Sequence, residues 1–370
     1  MPTELPSLTG LRWLAALGVF GFHVVVVQYF GGAGAQVVGT VFGAGSSCVA
    51  LFFVLSGFVI TWGSDHASVG RFWLRRIARL WPLHLVGVVL ALVVAATTVP
   101  GIRTTDPVGE LADVFLVSTW HDAWWQAGNP VSWSLACEAF FALVFPLLYA
   151  GLRRCATPVV TGVAVLALLV TFAAPALSAH LPGHPSSYSS PLMRLPEFVL
   201  GVACALLVRD RGWAGPPLVL GVPAAVLGYL ASAGTLPVPL PAGANPTAIA
   251  VAGYALLVCA LARTDVRGHR SVLASRPFQE LGRLSFAFYL VHLLVIASVS
   301  SPWPDGHPQI AWLPATLLAL TSLTIALALA AVLHHAVEVP ARRWILGLVG
   351  GRRASGARRS ESPVRGATGD

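Results

Sequence analysis

The chain has 370 residues, 56% hydrophobic and only 10% charged, with a mean hydropathy of +0.76. A water-facing globule carries roughly 25% charge, so a soluble protein of one or two domains is excluded. The net charge of +8 comes from 23 arginines and no lysine. These arginines follow the gaps between apolar blocks rather than a binding stripe, so nucleic acid is not the expected partner; a lipid bilayer is.

The apolar blocks are about 18 to 25 residues long, enough for a helix to cross a bilayer core of ~30 Å. Hydropathy places them near 8–30, 43–63, 80–98, 132–152, 157–176, 194–209, 216–233, 246–263, 283–301 and 311–336. The fold class expected is an all-α integral membrane protein of about ten transmembrane helices, with Gly/Pro-rich turns such as Gly31–Gly34 and Pro237–Pro246 between them. The five cysteines have no metal or redox spacing and read as packing residues. No metal site and no permanently bound cofactor is expected.

The first block holds Arg12 and His23 and lacks the n-region and clean h-region of a cleavable leader, so it reads as a retained helix. Eleven residues make three turns plus about 20°, so both side chains share one face, about 16 Å apart along the axis. Arg12 is then expected near one boundary and His23 near mid-membrane. Ionisable groups at such depth call for a functional explanation; the bland alternative is a snorkelling Arg and a His bonded to a neighbouring helix.

The third block is led in by Arg71, Arg75, Arg76 and Arg79, ahead of Pro82. Arg76 and Arg79 are neighbours on a helical face. Paired guanidiniums suit a phosphate polyanion, while an interfacial anchor is the simpler reading. The longest connection, from Pro100 to Pro130, carries four acidic residues and the aromatic run from Trp120 to Trp125, as an interfacial or re-entrant stretch would.

In the fourth block Ser134 precedes Glu138, which lies about one and a half turns inside the helix, ~9 Å deep. His23 is expected at a similar depth from the other side, which makes a meeting of the two an expectation from depth alone. Arg194 and Glu197, three apart, make either a helix-local ion pair or a substrate contact. Tyr289 and His292 lie in the ninth block. Glu338 closes the tenth, with Arg342 or Arg343 as the expected partner.

With the N-terminus in the cytoplasm, 20 of the 23 arginines fall on that side. The positive-inside rule therefore puts both termini there. Residues 1–345 form the expected membrane domain, and 346–370 a basic, disordered tail resting near anionic headgroups. The Arg-only, Ala/Gly/Pro-rich composition hints at a GC-rich bacterial genome, and the expected location is the inner (plasma) membrane.

In order along the chain, LTGLRWLAALGVFGFHV (Arg12, His23), FFVLSGFVITW (Ser56, Gly57), Arg76-x-x-Arg79 with Pro82, WSLACE (Ser134, Glu138), RLPEFVLG (Arg194, Glu197) and SFAFYLVH (Tyr289, His292) resemble the membrane-bound acyltransferase-3 family. Its members acylate hydroxyls of sugars, polysaccharides and antibiotics. The resemblance implies an acyltransferase using cytoplasmic acyl-CoA, with acetyl-CoA the expected co-substrate. It places the CoA phosphates near Arg76 and Arg79, with Arg12 at the same mouth. His23 is the expected general base on the acceptor hydroxyl, Glu138 its orienting partner or an acceptor contact, and a transient acyl-histidine the variant. Ser134, Arg194, Glu197, Tyr289 and His292 are expected substrate contacts, and the acceptor a hydroxyl-bearing sugar, polysaccharide or natural product. Some relatives append a hydrolase-like domain; any second transfer step by such a domain is expected here to be absent or supplied by another protein. The competing readings are a transporter or flippase of a glycan or lipid-linked substrate, for which no internal repeat is visible, and an isoprenoid-linked glycan polymerase.

Overall fold

A computed structural model describes residues 4–64, 68–102 and 106–348. The basic tail beyond 348 lies outside the described residues. The elements in order are α1 (Pro6–Val26), α2 (Gly32–Phe42), α3 (Cys48–Trp62), α4 (Val69–Thr97), α5 (Pro107–Val114), α6 (Trp133–Leu152), α7 (Thr157–His180), α8 (Pro191–Asp210), α9 (Leu218–Ser232), α10 (Thr247–Val266), α11 (Arg276–Ser300) and α12 (Trp312–Leu333).

Among the described residues, nine helical segments are long and apolar enough to cross a bilayer, the α2–α3 stretch counting as one; α9 is a shorter apolar helix. The chain is thus an all-α, multi-pass membrane protein. Helices are required because each satisfies its own backbone where no water is available. Prolines at the first turns of α1, α5, α7, α8 and α11 start them where a missing N–H costs nothing.

Several boundaries differ from the hydropathy reading; α11, for one, starts at Arg276 rather than near 283. The helix α4 starts at Val69, so Arg71 to Arg79 are helical rather than a lead-in. Hydropathy windows discount arginine, whereas at an interface its stem lies along apolar surface and its head reaches water. The glycines at 31–34, read as a turn, open α2. The last helix runs through a π segment, His334–Glu338, and on to residue 348.

The inner layer is built on α8, 78% of whose most apolar window is buried, against 22% for α7 and for α12. Its closest partner is α3. A Cβ on Gly57 would sit 2.1 Å from the Phe198 carbonyl oxygen, and one on Gly201 2.1 Å from that of Val54. Only glycine admits this backbone approach, the small-residue packing that replaces hydrophobic drive inside lipid. Other extensive pairings join α9 with α10, α1 with α11, α7 with α8 and α11 with α12.

Residues 106–131 of the long connection fold as a cap. Asp106 caps α5, accepting from Val108 N at 2.9 Å and from Trp124 Nε1 at 2.5 Å. Buried Asp113 accepts from Asn129 N at 3.2 Å and Ser118 Oγ at 3.3 Å. The cap is moored to the bundle through His84 Nε2 on the Asp113 carbonyl, 2.8 Å, and Asn129 Nδ2 donating to the Leu290 carbonyl, 2.9 Å.

The turn after α1 is pinned to the α11–α12 loop. Gln309 N donates to the Gln28 carbonyl at 2.8 Å, and Ile310 N to that of Tyr29 at 3.1 Å. Fully buried Tyr29 gives its hydroxyl to the Ile296 carbonyl at 2.9 Å. These bonds set the register of α1 against α11.

Candidate active site

Two adjoining cavities enter the bundle from its arginine-rich face. The outer vestibule, about 480 Å³, is lined by Arg75, Arg76, Arg79, Arg153 and Arg342, with Phe72 and Tyr149 among its apolar walls. The inner chamber, about 100 Å³, has Arg12, Ser56, Ser134, Glu138, Ser285 and Tyr289 among its polar groups. Val59, Ile60, Arg76 and Arg79 line both, so the two are one path.

Each functional side chain is placed by a different helix. On α1, Arg12 stands six residues from the start, about 9 Å along the axis. The helical extension of α4 turns Arg76 and Arg79 inward, and Arg76 lies over the Phe72 ring at 5.6 Å. Glu138, on α6, accepts a 2.9 Å bond from Ser56 Oγ of α3. Ser134, one turn before it, shares a 2.8 Å hydrogen bond with the Tyr289 hydroxyl of α11. Glu138 acts electrostatically on both Arg12 and Arg76, and Glu338 on Arg12, while Arg342 adds its charge near Arg76. The start of α1 and the end of the last helix therefore meet at the same face. The chamber holds more positive than negative charge, which suits a polyanion whose uncharged arm goes deeper.

His23 lies three residues from the end of α1, closer to the far face than the mid-membrane position expected, because α1 stops at Val26. Its Nδ1 is 2.9 Å from His292 Nε2, and His292 Nδ1 is 2.7 Å from the Tyr289 carbonyl oxygen. The Tyr289 and His292 rings are 5.6 Å apart, one turn of α11. The imidazole pair thus stands immediately behind the Tyr289 wall of the chamber. Glu138 and His23 do not meet as their depths suggested: Glu138 is rotated toward α3 and Ser56, His23 toward α11 and His292.

Arg194 and Glu197 line neither cavity. They form a buried i,i+3 ion pair at 3.1 Å, with Arg194 5.4 Å from the Phe53 ring. Of the two readings open at the sequence level, the helix-local pair is what the geometry contains. Glu338 takes His334 at 2.8 Å rather than Arg342 or Arg343. Arg342 lines the vestibule instead.

Sequence reasoning missed Arg153 and Arg342 as vestibule residues and Ser56 as the partner of Glu138. Charge alone does not distinguish them from Arg209 and Arg211, whose guanidiniums bind helix-end carbonyls: Arg209 those of Thr61 and Trp62, Arg211 those of Arg153 and Cys155. The signal available was position, since Arg153 caps the end of α6 and Arg342 lies in the last two turns of the final helix, on the face where α4 begins with Arg76 and Arg79.

Similarity to known proteins agrees with this geometry. A family model described as an acyltransferase domain matches residues 5–333. The chain is 38% identical to acyltransferase MdmB of Streptomyces mycarofaciens over 92% of each chain. It is 24% identical to the O-acetyltransferase OatA of Staphylococcus aureus, covering 92% of this chain but 58% of that one. A 163-residue stretch is 30% identical to the peptidoglycan O-acetyltransferase OatA of Listeria monocytogenes, 38% of this chain and 24% of that one. No solved structure matches significantly. With a family match from residue 5 to residue 333 and a relative 38% identical over 92% of each chain, this chain belongs to the acyltransferase-3 family and is an enzyme that transfers acyl groups.

Proposed function

We propose that the enzyme takes an acyl group, acetyl in the simplest case, from cytoplasmic acyl-CoA and passes it to a hydroxyl of a carbohydrate or glycosylated acceptor, in a bacterial plasma membrane. The observation that carries this reading is the continuous path from a five-arginine vestibule into a chamber with Glu138, Ser134 and Tyr289 at its walls. Polyphosphate needs several guanidiniums at the mouth, and Arg75, Arg76, Arg79, Arg153 and Arg342 supply them. The thin pantetheine arm suits the narrower chamber beyond. Printed names of relatives, an O-acetyltransferase and a peptidoglycan O-acetyltransferase, favour a hydroxyl on a carbohydrate.

In this reading His23 removes the acceptor's hydroxyl proton as the oxygen attacks the thioester carbonyl carbon. The C–S bond then breaks, and the imidazolium returns the proton to the leaving thiolate. Arg12, about 16 Å along α1 from His23, joins Arg76 and Arg79 in holding the charged end of the donor. Glu138 opposes the arginines and keeps them oriented.

The test is turnover of radiolabelled acetyl-CoA by membranes holding the wild type, His23→Ala, or the Arg76→Ala/Arg79→Ala double variant, with cell-envelope extract as acceptor. Label transferred by the wild type, lost in His23→Ala, and requiring much more donor in the double variant is the expected result. Folded wild type that transfers no label from any of several acyl-CoAs would overturn the donor assignment.

A further inference from the structure

The two central histidines come from helices 269 positions apart in sequence, and their hydrogen bonds leave one arrangement of protons. A carbonyl oxygen can only accept, so His292 Nδ1, 2.7 Å from the Tyr289 carbonyl, carries a hydrogen. A neutral imidazole has one N–H, so His292 Nε2 is a bare lone pair. It lies 2.9 Å from His23 Nδ1, and that contact is a hydrogen bond only if His23 Nδ1 is the donor. The remaining nitrogen of His23, Nε2, is then the unprotonated one.

A doubly protonated His292 would break this chain of inference, but its surroundings oppose it. The side chain is 0% exposed, stacks on Phe288 at 5.7 Å and 17°, and its two ring nitrogens are taken by a carbonyl and an imidazole rather than a carboxylate. A buried charge without a counter-charge is costly. The Tyr29 bond to the Ile296 carbonyl, one turn beyond His292, keeps α1 and α11 in the register that the pair needs.

We propose that His292 is the positioning residue of the reaction: its Nε2 lone pair holds His23 in the Nδ1–H tautomer, so that His23 Nε2 is free to take the acceptor's proton. The proposal rests on the reading of His23 as the base and assigns His292 no substrate contact. The proton balance is closed. Hydroxyl hydrogen moves to His23 Nε2, the ester bond forms as the C–S bond breaks, and the same hydrogen leaves on the CoA thiol. The Nδ1–H bond to His292 persists throughout and orients the imidazolium.

The experiment compares His292→Phe, His292→Gln and His23→Ala for acetyl-CoA turnover in membranes, with kcat and KM for the donor measured separately. Phenylalanine keeps the ring's shape and its stack on Phe288 but offers no acceptor. Its kcat should fall on the order of 10²–10⁴-fold, the usual worth of an oriented imidazole, with donor KM unchanged. Glutamine, whose amide oxygen accepts from His23 Nδ1–H, should restore kcat to within about tenfold of wild type. A His292→Phe enzyme with wild-type kcat, beside an inactive His23→Ala, overturns the role of His292 while leaving His23 as base. An active His23→Ala enzyme overturns the base assignment itself. Glutamine no better than phenylalanine overturns the acceptor role. Should the phenylalanine variant fail to fold, ¹⁵N NMR of histidine-labelled wild type decides. Protonated Nδ1 and bare Nε2 on His23 are expected, and the reverse pattern refutes the proposal.

Discussion

Gly201→Ala is the most demanding test of how the bundle holds its chamber. A Cβ on Gly201 lands 2.1 Å from the Val54 carbonyl oxygen and 2.9 Å from Phe58 N, where ordinary contact begins at 3.4 Å. The obstacle is backbone, which no rotamer change relieves, so α3 and α8 must part by about 1.3 Å. Overpacking of this kind costs about 1–3 kcal/mol. The displaced segment of α3 includes Ser56, whose 2.9 Å bond to Glu138 does not survive a shift of that size. Misplacement by about 1 Å in an active site can cost on the order of 10²-fold, so kcat should fall along with thermal stability. The assay is thermal unfolding of purified protein in lipid nanodiscs together with labelled-acyl transfer. Gly162→Ala on the peripheral α7 is the control, because nothing lies within 4 Å of the added methyl. Gly201→Ala matching Gly162→Ala in both unfolding temperature and kcat would refute the close α3–α8 crossing and its link to the chamber.

Arg153→Ala or Arg342→Ala should raise KM for acyl-CoA several-fold, more steeply at low salt, and leave kcat unchanged, as measured by initial rates across ionic strength. Ser56→Ala removes one hydrogen bond to a carboxylate, worth about 1.5–3 kcal/mol, and should lower activity less than Glu138→Gln, which also weakens the opposition to Arg12 and Arg76. Tyr29→Phe loses the bonds to Ile296 and Ser322 and should lower the unfolding free energy by about 1–3 kcal/mol, read by denaturant titration. In the cap, burial pushes the Asp113 carboxyl up from 3.8 to about 7. Between those values the folded cap keeps a proton that the unfolded chain has lost. Stability from this group is therefore full below about pH 4, declines as pH rises and levels off above about 7. The wild type should melt at a lower temperature at pH 8 than at pH 5, and Asp113→Asn should flatten that difference.

Depth and face were legible in the chain itself. Bilayer thickness sets helix length, so the apolar blocks gave a multi-pass frame, and arginine bias gave its expected orientation. The spacing of Arg76 and Arg79 put both on one helical face, and both line the chamber with Arg12, Ser134, Glu138 and Tyr289. One large miss was at α4, where a hydropathy window reads arginines as loop although their stems and heads let a helix continue through the interface.

Azimuth and adjacency were settled only in three dimensions. A hydropathy profile is a function of depth alone; it assigned Glu138 and His23 similar depths but not the directions in which they point. Those directions follow from which helices can approach, and inside lipid that is decided by local shape, such as the bare backbone at Gly57 and Gly201. Tertiary packing therefore paired Glu138 with Ser56, gathered Arg153 and Arg342 beside the α4 arginines, and closed a 2.9 Å contact between His23 and His292. Apolar periodicity carries no record of which face meets which, because lipid and a neighbouring helix are equally apolar partners.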